Sequence, residues 1–60
     1  MPNIKGLDFN KVEGFTASHP VNTLTVYIRD GDPIPYSEAS LGTEKFYELY
    51  HYLVENFSRC

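Results

Sequence analysis

The chain has 60 residues, carries eight acidic and five basic side chains for a net charge of −3, and is 42% apolar. A chain this short makes one thin domain, because it buries only about 60% of the surface its unfolded form exposes. The acidic balance opposes the phosphate-neutralising surface that nucleic-acid binders cluster from Lys and Arg, so no direct nucleic-acid partner is expected.

Domains of this size lean on disulfides, a metal or a partner chain. The sole cysteine is Cys60, which allows no internal disulfide and is expected to be a reduced cytosolic thiol. His19, His51 and Cys60 do not form the spaced ligand clusters of a structural zinc, and no metal or cofactor is expected. A partner chain remains, with a second copy the first candidate. No basic-then-apolar leader opens the sequence and no apolar run reaches membrane-spanning length, so a soluble, cytoplasmic protein with no membrane partner is expected. The charge is unevenly placed: residues 1–29 sum to +1 and residues 30–60 to −4.

In chain order, the N-terminal third is the hardest to read. Ile4, Leu7, Phe9, Val12 and Phe15 are apolar at spacings that fit neither the helical nor the strand period. Gly14 and the β-rich VEGFTAS suggest a strand over residues 11–17, and SHPVN then connects it to the next strand as a hairpin. Residues 22–29, NTLTVYIR, alternate Leu24, Val26 and Ile28 with Thr23, Thr25, Tyr27 and Arg29. That is the period of a half-buried strand, with the β-branched and aromatic content to match.

Asp30-Gly31 signals a turn. If those two residues alone formed it, Pro33 and Pro35 would share a side with Val26 and Ile28. Adding Asp32 sets Ile34 opposite Ile28 and Tyr36 opposite Val26, a better apolar match, although Asp32 must then turn left-handed before a proline. Register follows the buried face, which favours the longer loop. The two prolines confine residues 33–37 to a sheet edge or an unpaired extended stretch. Residues 37–42, SEASLG, are expected to form a loop, with Leu41 packing back before the next element as a staple.

The C-terminal stretch is the clearest helix, over residues 44–58. Thr43 is a suitable N-cap, Glu44 suits the positive end of the dipole and Arg59 the negative end, and neither Gly nor Pro interrupts it. Phe46, Leu49, Tyr50, Leu53 and Phe57 fall on one side, while Tyr47, Val54 and His51 widen that stripe on one flank and Tyr52 breaks away to the polar side. The apolar arc is then roughly 160° wide, against the roughly 100° that docking on one sheet requires.

These elements assemble into an α+β fold of β-β-β-α order. A small antiparallel sheet of two to three strands is covered on one face by the C-terminal helix, in a single domain over residues 1–60. The other face would show Thr23, Thr25, Tyr27 and Arg29 to water.

Chemistry-bearing residues have structural explanations. Asp30 and Asp32 are natural turn formers, and DGD lacks the later acidic ligand of a calcium loop. His51 lies one turn from Tyr47 and Glu55, as in an ordinary helix-surface contact, and His19 precedes Pro20 in a loop. No serine sits in a nucleophile elbow and no glycine-rich loop could cradle phosphate. No catalytic residue is therefore assigned.

Five tyrosines in 60 residues suit positions where one end packs and the other stays wet, as at protein interfaces. The expectation is a non-enzymatic interaction module that forms a homodimer, with Tyr47, His51, Tyr52 and Val54 as its partner-binding residues. So short and acidic a chain would suit a virus or mobile element that encodes an inhibitor or adaptor of a host protein. An acidic DNA mimic that blocks a nucleic-acid-binding protein is an alternative. In its opening Met1-Pro2, followed by Asn3-Ile4, and in its length, the chain is similar in outline to the small tautomerases. That likeness would imply Pro2 as the catalytic base. That family places a long helix directly after its first strand, where this sequence holds Gly14 and Pro20.

Overall fold

The computed structural model describes residues 4–57. Its elements run β1 (Val12–Ala17), β2 (Thr23–Ile28), β3 (Ile34–Ser37), α1 (Glu38–Leu41) and α2 (Thr43–Phe57), preceded by a 3₁₀ turn at Phe9–Lys11. The three strands form one antiparallel sheet in the order β1-β2-β3, and the C-terminal helix covers one of its faces. The expected β-β-β-α architecture is therefore the observed one. Strand β1 passes straight into β2, so the long helix that follows the first strand of a tautomerase has no counterpart.

Burial explains why these elements dock. Leu24 and Val26 point from β2 to the same side, and Phe46, Leu49 and Leu53 point back from α2; all five are nearly inaccessible. Ile4, Leu7 and Val12 close the rim of that core. The N-terminal segment thus contributes apolar residues without a period because it is neither helix nor strand over residues 4–8. It turns at Gly6, with φ 86°, and the Leu7 amide donates to the Ile4 carbonyl at 3.2 Å. The Asp8 side chain then caps the 3₁₀ turn by accepting from the Asn10 amide at 3.0 Å.

The sheet departs from expectation in its second connection. Val26 pairs with Ile34 and Leu24 with Tyr36, two residues away from the expected partners of Ile34 and Tyr36. The shift is even, so the same side chains still face the core. The link from β2 to β3 accordingly spans residues 29–33, and the residue with left-handed backbone is Asp30, φ 59°, instead of Asp32. Placing that conformation away from the prolines removes the conflict that the expected three-residue loop carried at Asp32. A Cβ at Gly31 beside it would lie 2.9 Å from Ile28 Cδ1, so a side chain there would displace the tip of Ile28.

Backbone parity accounts for the prolines. The Glu38 amide donates to the Asn22 carbonyl at 3.2 Å, so by antiparallel alternation Tyr36 and Ile34 turn their backbone groups toward β2 and Pro35 turns away. Pro35 faces the open edge, where its missing N–H breaks no ladder bond. Strand pairing of residues 33–37 is thus real, over Ile34–Ser37.

Two further corrections concern the entry to α2. Residues 38–41 form a helical turn, not a loop: the Ser37 hydroxyl accepts from the Ser40 amide at 3.1 Å, an ordinary N-cap. Leu41 does pack against the core. Gly42, at φ 90° and ψ 147°, breaks the two helices apart, and its carbonyl accepts the first α2 bond from the Phe46 amide at 2.9 Å. Gly42 therefore occupies the cap position expected of Thr43, whose hydroxyl instead donates to Glu38 Oε2 at 3.1 Å. Helix α2 is described to Phe57; the last expected helical position, residue 58, lies outside the described residues, as do Pro2 and Cys60.

Candidate interaction surface

Helix α2 carries the four side chains expected to bind a partner, and the fold uses them unequally. Tyr47 is half-buried; its hydroxyl donates to the Val21 carbonyl at 3.2 Å and its ring meets Phe46 edge-on at 5.3 Å. Its polar end is thus satisfied within the chain, by the loop joining β1 to β2. Val54 is half-buried and His51 is exposed, the latter with its ring 5.7 Å from Tyr50.

Tyr52 differs most from the sequence reading. It does not break away into solvent. Phe9 meets it edge-on, with ring centroids 4.9 Å apart and planes at 80°, and Phe57 lies 6.4 Å away. The periodicity of α2 could not reveal this contact, because its partner sits in the aperiodic N-terminal segment. Phe9 and Val21 between them cover much of the aromatic surplus that a single docked sheet would leave bare.

The outer face of α2 is what remains. Tyr47, His51 and Tyr52 border it together with Glu44, Glu48 and Glu55, while Val54 stays outside that border. Three carboxylates on one helical face make an open acidic surface. No group of three or more His, Cys, Asp or Glu side chains is arranged to hold a metal among the described residues.

The second exposed surface is the sheet face turned away from α2. Register places Gly14 beside Tyr27, Thr16 beside Thr25, and Thr25 beside Pro35 on it. Tyr27, 41% exposed, is the large apolar side chain left most open among the described residues. Thr23 and Thr25 share the face as expected, whereas Arg29 lies past the end of β2. The strip across this face from Gly14 and Thr16 through Tyr27 and Thr25 to Pro35 holds no charge.

Tyr36 points to the covered face opposite Leu24. Burial pushes its phenol above the ordinary value of 10.0, which keeps the neutral form in place.

No family model matches the chain, and neither curated proteins nor solved structures show a significant similarity to it. No helix among the described residues is long and apolar enough to cross a membrane.

Proposed function

We propose that this chain is a non-enzymatic protein–protein interaction module that works as a self-associated pair. The observation that supports the reading most is the one-sided sheet. One face is packed under α2, and the other presents Tyr27 on an uncharged strip of Gly14, Thr16, Thr25 and Pro35. A single core in a domain this small contributes about 3–5 kcal/mol, and a second copy is the simplest added support. The expected interface residues on α2 contribute less than its sequence suggests, since Tyr47 and Tyr52 already have partners in their own chain.

Sedimentation and thermal unfolding over a range of concentrations test the reading. Self-association predicts a mass of twice 6.9 kDa and a Tm that rises with protein concentration. A mass of 6.9 kDa with an invariant Tm overturns it.

A second reading, an acidic mimic of nucleic acid that occupies a basic host protein, draws support from the carboxylates along α2. Glu44, Glu48 and Glu55 stand about 6 and 10 Å apart along the axis at about 1.5 Å per residue. It predicts recovery of a nucleic-acid-binding protein that DNA competes away, and loss of that recovery on Glu48→Gln with Glu55→Gln.

A further inference from the structure

We infer that two copies join through the open edge of β1, continuing the sheet to six antiparallel strands. The inference rests on the self-association proposed above and names the surface that carries it.

The argument starts from the two sheet edges. Edge β3 is four residues long and has Pro33 before it and Pro35 within it, the devices by which proteins blunt an edge. Strand β1 is longer, six residues, and its blunting is confined to one end. A register shift between Val12 and Gly14 marks a bulge at Glu13. From Gly14 to Ala17 there is no charge and no proline, and no described strand lies beyond β1.

Parity identifies the unpaired groups. The Ser18 amide donates to the Thr23 carbonyl at 3.2 Å, so Ser18, Thr16 and Gly14 turn their backbone groups toward β2. Ala17 and Phe15 turn theirs outward.

These outward groups are self-complementary. If a two-fold axis passes between the Thr16 residues of two antiparallel β1 strands, Phe15 of each copy stands opposite Ala17 of the other. Every outward N–H and C=O of Phe15 and Ala17 is then paired. On the covered side a large side chain meets a small one, since Phe15 and Ala17 share the side of Val26 and Leu24. The axis is perpendicular to the sheet, which keeps both α2 helices on one side.

Charge selects this edge over α2 for a second copy. An isologous contact through the outer face of α2 would bring Glu44, Glu48 and Glu55 close to the same carboxylates of the mate, whereas residues 14–17 of β1 carry no charge. Like charges brought together oppose association.

The test combines a proline and a cysteine in the full chain. Ala17→Pro removes an outward N–H and no ladder bond. It is expected to sediment at 6.9 kDa with its circular dichroism retained, where the parent sediments at twice that mass. Thr16→Cys in a Cys60→Ser background is expected to form an intermolecular disulfide on mild oxidation. Residues opposite each other at a non-hydrogen-bonded position lie about 4.5 Å apart between Cα atoms, within disulfide reach. Thr25→Cys in the same background is the control: it shares the face, but its mate lies about 14 Å away, three strand spacings, and no cross-link is expected. A parent dimer that persists in Ala17→Pro and gives no Thr16→Cys cross-link overturns edge pairing and leaves self-association through another surface. A monomeric parent at every concentration up to its solubility limit overturns both.

Discussion

Replacing Phe9 with alanine tests how the surplus aromatic surface of α2 is covered. Phe9 is half-buried and meets Tyr52 edge-on at 4.9 Å. Truncating a fully buried phenylalanine costs about 3–5 kcal/mol, so half burial gives an expected loss of about 2 kcal/mol. Of that, about 0.5–1.5 kcal/mol belongs to the ring pair itself. At about 4–8 °C per kcal/mol for a domain of this size, Tm falls by about 8–16 °C. The assay is thermal unfolding at one fixed protein concentration, because association also moves Tm. A double-mutant cycle with Tyr52→Ala isolates the pair, and its coupling energy should match the ring-pair share. A Tm loss below about 3 °C, together with a coupling energy indistinguishable from zero, would refute the claim that the N-terminal segment shields Tyr52.

Three further outcomes are expected. Leu49→Ala, at a site with no exposed surface, should cost about 2–5 kcal/mol, comparable to the whole stability of so small a core, and leave the chain largely unfolded by circular dichroism. Gly42→Ala should lose about 1–3 kcal/mol because φ 90° and ψ 147° lie in a region almost reserved for glycine. Gly14→Ala, where φ is not positive and nothing lies within 4 Å of the new Cβ, should cost far less in a parallel urea titration. Tyr36 has a folded-state pKa raised by burial, so below pH 10 its contribution is fully present. As pH rises past 10 the unfolded state releases its proton first, and stability falls until the folded pKa is passed. Tyr36→Phe should remove that alkaline component from a pH series of melts.

How far the sequence could be read depended on how locally each element is specified. The alternation of Leu24, Val26 and Ile28 marks a strand without reference to anything else, and the spacing of Phe46, Leu49 and Leu53 does the same for a helix. The Ser37 cap is also local: a serine followed by Glu38 in the first turn is a helix start, although SEASLG as a whole has the composition of a loop. The position of the tight turn was readable from Asp30-Gly31, but the register was not, because slips of two residues leave the same side chains inward. Packing then decides between them. On the candidate surface, His51 is as exposed as its position on α2 suggests, while Tyr52 is not, since the ring that covers it lies 43 positions earlier in the chain.

Sequence alone determined the central strand and the C-terminal helix, the buried stripe of α2 and the inward face of β2, because hydrophobic periodicity within a segment states which side must leave water. Only the tertiary structure decided that Phe9 and Val21 close over the helix flank and that Pro35 faces outward. It also decided that β1 and β3 form the two edges of the sheet, with proline in β3 alone. Each of those depends on which distant backbone or ring comes to lie alongside, and chain topology sets that proximity where no local pattern can.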